Sequence, residues 1–284
     1  MTNFKINHPL INLEIKLEEI DKLYVHEEIL EGLFRQLVKT IKLDEQLFHP
    51  VIVDRKRLIV LDGTHRIAAT KELGCRFIPI CLLDYDNPHV VIDGWYRMVN
   101  PKSKSERVTR TIEELGFTLE EHEIEEADDL VKKREAIASI AFSSKSFSIH
   151  GVQENIREIY DAIKEIEIKL GSKGYSINYD IESDARRKLA LGEVFSIIKV
   201  PTLSKEEVVK AAFSGQIFSH KTTRHVIPLR PLFLNVPLKW LYSKSSSEKM
   251  NEKFIKYLST KKFKRLPPGQ ILDRRYDEEL YVQC

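Results

Sequence analysis

Two short clusters in this chain carry side chains able to handle an anion. The first, Leu61-Asp62-Gly63-Thr64-His65-Arg66, follows an apolar stretch from Arg57 to Leu61 and precedes Ile67 to Leu73, which reads as a helix stopped by Gly74. The pattern puts a carboxylate, a flexible glycine and two cationic or switchable side chains around a helix N-terminus. There, backbone N–H groups and the positive end of the helix dipole favour an anion, phosphate above all. Asp62 can then hold a cation or its water, and His65 and Arg66 can neutralise phosphate oxygens. An Asp-Gly turn before a helix is also common, and the alternative is that Asp62 serves the turn alone. The second cluster is Ser219-His220-Lys221-Thr222-Thr223-Arg224-His225, an unbroken run of hydrogen-bonding side chains rich in basic and imidazole groups. Such a run suits an anion-recognition loop, against the alternative of a solvated basic turn.

The elements that position these clusters follow from periodicity. Leu13 to Leu17 alternates as a half-buried strand. His26-Glu27 stands at the opening of a helix whose Ile29, Leu30, Leu33, Phe34, Leu37, Val38 and Ile41 form one buried stripe. Val51 to Val53 and Leu58 to Leu61 make a hairpin around Asp54 to Lys56, and Phe77 to Leu83 is a buried strand. Val90 to Ile92 with Trp95-Tyr96 completes a first unit. The chain becomes polar at Asn100-Pro101-Lys102-Ser103, which predicts a boundary, and charged helices follow at Glu106 to Leu115 and Glu125 to Arg134. Beyond them the spacing predicts strands at Ile137 to Phe142, Ser146 to Ile149, Tyr175 to Asp180 and Val194 to Val200. These alternate with helices at Val152 to Leu170 and Ser183 to Leu191, and with a helix ending at Gly215 that opens on a Ser204/Glu207 capping box. A last helix is expected over Glu248 to Leu258, and a strand at Leu280 to Val282.

Composition narrows the class. The chain has 284 residues, 42% of them hydrophobic, which is enough for two domains or for one with a large insertion. Lysine and arginine total 45 against 43 acids, so the net charge of +2 does not favour a nucleic-acid partner. No apolar run is long enough to span a membrane and Met1 to Leu10 lacks a secretory signal, so a cytoplasmic protein is expected. Cys75, Cys81 and Cys284 have no metal spacing, and Cys75 and Cys81 read as core thiols. The abundance of Lys, Glu and Ile resembles thermophile composition.

Asp62-Gly63-Thr64-His65-Arg66 after a strand resembles the Asp-Gly-x-His-Arg signature of the ParB/sulfiredoxin-like fold. Together with His26-Glu27, Trp95-Tyr96, Ser146-Phe147 and Lys221 to His225, it makes the chain similar to the free L-serine kinases of that superfamily, from about Leu17 to Trp240. The resemblance implies an α+β chain: a ParB/sulfiredoxin-like nucleotide-binding domain over residues 1–100, and a second mixed α/β domain over 101–284 with the substrate loop and a C-terminal extension. The active site would lie in the interdomain cleft. It implies transfer of a phosphoryl group from ATP or ADP, with Mg2+, to the hydroxyl of free L-serine. The stretch beyond Trp240 resembles that of longer, ATP-using members, so ATP is the expected donor. By similarity Glu27 is the catalytic base and Asp62 the essential carboxylate near metal and phosphates. Gly63, Thr64, His65 and Arg66 form the phosphate turn, and Trp95, Lys221, Thr222, Thr223, Arg224 and His225 hold serine or phosphoserine. Without the resemblance, the favoured readings are Glu27 as a helix N-terminal acid, Trp95 as core, and His26 and His225 as structural histidines. The competing function is a ParB-like nucleotide- or DNA-binding regulator, against which the acids of Glu106 to Arg134 and the lack of a helix-turn-helix signature speak. A sulfiredoxin-like enzyme would need a cysteine where Thr64 stands.

Overall fold

In the computed structural model, which describes residues 3–101, 104–272 and 275–284, the chain forms two units, each discontinuous in sequence. One comprises the chain up to Val91, Val208–Ile217 and His225–Cys284, and the other Ile92–Glu207 and Phe218–Arg224. The first unit begins with β1 (Phe4–His8), β2 (Ile11–Glu19), α1 (Glu31–Asp44), β3 (Gln46–Leu47), β4 (Val51–Asp54), β5 (Val60–Asp62), α2 (Thr64–Glu72) and β6 (Phe77–Leu83). Its main sheet has the order β1-β2-β6-β4-β5, with β6 antiparallel to β2 and parallel to β4. The central position of β6 follows from its composition: it carries no charged side chain and all its residues are buried, as a strand covered on both faces requires. β4 and β5 form the expected hairpin, in which Asp62 stands opposite Ile52 and α2 follows directly.

The chain continues through β7 (Val91–Asp93) into the second unit, made of β8 (Tyr96–Asn100), α3 (Ser105–Glu113), β9 (Thr118–His122), α4 (Ile124–Lys133), β10 (Ala138–Ala141), β11 (Ser146–His150), α5 (Ile156–Ser172), β12 (Ser176–Asp180), α6 (Glu182–Ala190) and β13 (Ser196–Lys199). These strands form an antiparallel sheet, β12-β8-β13-β10-β11-β9. α7 (Lys205–Ser214) and β14 (Arg224–Val226) lead back to the first unit. It is completed by β15 (Leu229–Leu232), β16 (Val236–Pro237), α8 (Leu238–Leu241), α9 (Ser247–Ser259), β17 (Phe263–Leu266), β18 (Gln270–Ile271), β19 (Arg275–Tyr276) and β20 (Glu279–Gln283). β20 runs parallel to β15 and antiparallel to β17.

The architecture is mixed α/β, and several expectations need revision in detail. The helix expected to open at Glu27 starts at Glu31. Residues 24–30 are held out of the helix instead: Tyr24 N–H donates to Leu58 O at 3.0 Å, Val60 N–H to Tyr24 O at 2.8 Å, and Leu30 N–H to His65 Nε2 at 2.9 Å. Nor is the α1 stripe buried throughout, since Phe34 and Ile41 are buried while Leu33 is 49% exposed. The helix expected from Val152 starts at Ile156, because the Asn155 side chain accepts from the N–H groups of Arg157 and Glu158 and caps it there. Tyr96 belongs to the second unit, through the pairing of β8 with β12 and β13. The first changeover between units falls at Val91/Ile92, residues 225–284 rejoin the first unit, and Lys102 and Ser103 of the expected boundary lie outside the described residues. The capping box forms as read: Ser204 N–H donates to Glu207 Oε2 at 2.8 Å and Glu207 N–H to Ser204 Oγ at 3.2 Å. Cys75 and Cys81 are buried, and burial pushes both thiols up to about 12. Among the described residues no helix is long and apolar enough to cross a membrane.

Candidate active site

The first unit assembles the Asp62 cluster. Gly63 stands at the N-cap of α2 with φ 111°, a left-handed conformation that favours glycine, and a Cβ added there would meet the Arg66 guanidinium at 2.8 Å and Val51 at 3.0 Å. With no N-cap side chain bonded to it, the first turn of α2, Thr64 to Arg66, keeps the geometry of an anion site. Asp62 Oδ2 faces Arg66 Nη2 at 3.2 Å and accepts from Arg230 Nη1 at 2.5 Å, and its side chain is 39% exposed. His65 is committed to structure at one nitrogen: its Nε2 accepts the Leu30 N–H, which fixes the proton on Nδ1. That bond, with the Tyr24 pairing on β5, holds the segment carrying Glu27 against the turn from both ends. Glu27 itself is half-buried, with Oε1 3.8 Å from His26 Nε2.

Behind this surface lies a buried polar group. His225 Nε2 pairs with the Tyr85 hydroxyl at 2.9 Å, and the rings of His26 and His225 meet edge to face at 5.6 Å. Burial lowers His26 to about 4; burial, with His26 beside it, lowers His225 to about 3, so both rings are neutral at pH 7. Arg230 donates from Nε to Glu278, from Nη1 to Asp62, and from Nη2 to His225 O at 3.3 Å. Burial works against its charge, and the carboxylates of Asp62 and Glu278 outweigh it, so its pKa is raised.

The second unit assembles most of the other cluster, and the loop is no solvated turn: Ser219, Thr222 and Thr223 are buried. Thr222 Oγ1 donates to Ser219 O at 2.7 Å, and the Tyr160 hydroxyl donates to Thr222 O at 3.3 Å, so this threonine builds the loop. Trp95 Nε1 donates to Thr223 O at 2.9 Å, and the Lys221 ammonium lies 4.1 Å from the centre of the Trp95 ring. Arg224 Nη1 donates to Asp93 Oδ2 at 3.0 Å. Beneath them, fully buried Arg97 donates to Glu167 Oε1 at 2.8 Å, to Trp95 O at 2.6 Å and to Lys221 O at 3.3 Å.

Glu27, Asp62, Gly63, Thr64, His65 and Arg66 are thus gathered in one unit, and Trp95, Lys221, Thr222, Thr223 and Arg224 in the other. His225 parts from the rest of its loop and joins the first group. Sequence reading missed Tyr85, Asp93, Arg97, Arg230 and Glu278. Two of these left a signal: Arg97 and Arg230 are isolated charges in the apolar runs Tyr96 to Val99 and Ile227 to Leu234. A charge in a buried strand must be paired there, which makes it worth tracing.

Fold and site together define a mixed α/β protein with a strand-turn-helix motif at Asp62 and α2. No protein-family model matches the chain. It is 31% identical over 242 residues to an ATP-dependent L-serine kinase of Staphylothermus marinus, covering 81% of this chain and 92% of that protein. It is 28% identical over 244 residues to an ADP-dependent L-serine kinase of Thermococcus kodakarensis, covering 84% and 97%. A solved free serine kinase in complex with AMP is similar in structure, with TM-score 0.66 at 25% identity over 80% of this chain and 93% of that one. The chain belongs to the L-serine kinase family.

Proposed function

We propose that the protein transfers a phosphoryl group from a nucleoside phosphate to the hydroxyl of free L-serine, giving O-phospho-L-serine, with ATP the expected donor and ADP the alternative. The observation that carries this reading is the bond from Leu30 N–H to His65 Nε2, which fastens the Glu27 segment to the N-terminus of α2. The segment that carries a carboxylate able to take a proton is thereby tied to a turn able to hold phosphate. Phosphoryl transfer asks little more than an acceptor in line, neutralised oxygens and a proton acceptor. In the proposal Glu27 takes the proton of the serine hydroxyl. The N–H groups of Gly63, Thr64, His65 and Arg66, with the Arg66 guanidinium, receive the donor phosphates. Trp95, Lys221, Thr223 and Arg224 hold the acceptor, with Thr222 and Arg97 setting the loop's shape and His225 supporting the Asp62 side through Tyr85 and Arg230.

Magnesium belongs to the proposal, and the residues fit it. Asp62 is a half-exposed oxygen donor at the phosphate turn, and Mg2+ takes one or two carboxylates and completes its shell with phosphate oxygens and water. Because Asp62 Oδ2 already meets two guanidinium groups, contact through water suits it well. When bound, the ion would draw charge from the donor phosphates. We propose further that the first unit is of the ParB/sulfiredoxin type, and that catalysis takes place in a cleft where each unit supplies groups the other lacks. A ParB-like regulator of DNA is the weaker reading, since L-serine kinases match over most of their own length and the net charge of +2 offers a polyanion little. Phosphorus NMR of the purified chain with serine, magnesium and either nucleotide tests the proposal: a phosphoserine resonance is expected, and its absence with both donors would overturn it.

A further inference from the structure

The second unit holds a group of side chains that phosphoryl transfer does not use. Glu120 and His122 are two places apart on β9, the edge strand of the sheet, and so share a face. His150 stands on neighbouring β11, opposite Thr118 and therefore diagonal to Glu120. One ligand atom from each of the three falls within 4.8 Å of the others. Glu120 Oε2 is 3.7 Å from His122 Nε2 and 3.8 Å from His150 Nε2.

The opposite ring nitrogens decide which lone pairs converge. His122 Nδ1 faces the carboxylate of Glu126, in the first turn of α4, at 3.3 Å, and His150 Nδ1 faces the backbone carbonyl of Glu135 at 3.2 Å. An oxygen acceptor at Nδ1 keeps the proton there and leaves Nε2 with its lone pair, the arrangement in which metal-binding histidines are oriented by an outer carboxylate or carbonyl. His122 Nε2 is buried and has no hydrogen-bond partner among the described residues, while His150 Nε2 meets the Ser148 hydroxyl at 2.7 Å. Two imidazole nitrogens and one carboxylate oxygen therefore lie close together, and the Ser148 hydroxyl has only to turn its proton away to leave the His150 Nε2 lone pair to an ion.

We propose that Glu120, His122 and His150 form a binding site for a divalent transition metal of the zinc class, held through the two Nε2 atoms and a Glu120 oxygen, with Glu126 as the outer carboxylate and water in the fourth position. Metal–ligand bonds of about 2.0–2.2 Å in a tetrahedron set neighbouring ligand atoms about 3.4 Å apart, close to the 3.7 and 3.8 Å that separate the Glu120 oxygen from the two Nε2 atoms. Imidazole ligands select zinc-like ions over magnesium, which prefers an all-oxygen shell, so this site is separate from the one proposed at Asp62. Such an ion would fasten edge strand β9 to β11.

The test is a zinc titration of the full chain after metal stripping, read by competition with a chromogenic chelator, with cobalt substitution reporting coordination. One zinc per chain and the intense visible bands of four-coordinate cobalt are expected. His122→Gln and His150→Gln should each lower affinity at least about 100-fold, and Glu126→Gln by about 10-fold, as outer partners do. Phosphoserine formation with magnesium should be unchanged in His150→Gln, which separates this site from the reaction. Zinc should raise the melting temperature of the unaltered chain and of Glu126→Gln, and leave that of His150→Gln unmoved. Absence of saturable zinc binding in the unaltered chain, or variants that keep its affinity, would overturn the proposal and leave a surface ion-pair cluster.

Discussion

Replacing Arg230 by methionine removes a buried cation from two carboxylates of unequal burial, and that inequality sets the expected cost. Arg230 is 5% exposed and Glu278 is 8% exposed, whereas the Asp62 side chain is 39% exposed and keeps Arg66 as a second partner. Screening by solvent makes the Asp62 pairing worth about 1 kcal/mol or less. Loss of the guanidinium leaves Glu278 as a buried charge with its main partner gone, a situation that costs about 3–5 kcal/mol. Glu278 should therefore dominate. The prediction is sharpest as a cycle: Arg230→Met should destabilise by about 3–5 kcal/mol, and Arg230→Met with Glu278→Gln should recover about 2 kcal/mol of it, because the orphaned charge has been removed. Urea denaturation at pH 7.5, followed by tryptophan fluorescence and far-ultraviolet circular dichroism, reads the differences as midpoint shifts at constant slope. A loss below about 1 kcal/mol, or a double variant no more stable than the single one, would refute the reasoning. Catalysis should suffer in both variants, since Asp62 loses the contact that orients it.

Glu27→Gln should leave the fold intact and lower turnover by about a hundredfold or more, because the amide keeps the shape and cannot take the serine proton; activity within a factor of about three would place the base elsewhere. Asp62→Asn should abolish activity and flatten its magnesium dependence, and an unchanged magnesium titration would give Asp62 a purely structural role. The buried histidines make stability depend on pH with a definite sign. His26 and His225 are lowered to about 4 and about 3, so between these values and the unfolded value of about 6.5 the unfolded chain binds protons that the folded chain refuses. Their contribution is complete above about pH 6.5 and falls as the pH drops below it, by at most about 1.4 kcal/mol per pH unit for each ring. Urea midpoints that hold constant from pH 7 to pH 5 would contradict that burial.

What the sequence made legible was mostly local. Phe77–Leu83 was read to the residue because a continuous apolar run between a glycine-ended helix and a charged turn has little else to be. The strand-turn-helix at Asp62 and the Ser204/Glu207 box were visible because their signals lie within a few residues of each other. Glu27 was misplaced at a helix start because the apolar spacing from Ile29 continues smoothly into α1. What stops the helix at Glu31 is a bond from Leu30 to His65, thirty-five residues away, which no local pattern encodes. Arg230 and Arg97 were missed for the same reason: their partners Asp62 and Lys221 are separated from them by 168 and 124 residues. The division into units was hidden because the chain leaves the first unit at Val91 and returns twice, with its last stretch joining through the antiparallel pairing of β16 with β3.

The central claim is that the serine hydroxyl itself attacks the donor phosphorus. Serine labelled with oxygen-18 in its side chain, incubated with the protein, magnesium and ATP or ADP, tests this directly by mass spectrometry of the product. The account predicts phosphoserine that keeps the full label in the bridging oxygen, formed by the unaltered chain and lost in Glu27→Gln. Nucleotide hydrolysed to inorganic phosphate with serine left unmodified, or phosphoserine formed equally well without Glu27, would contradict it.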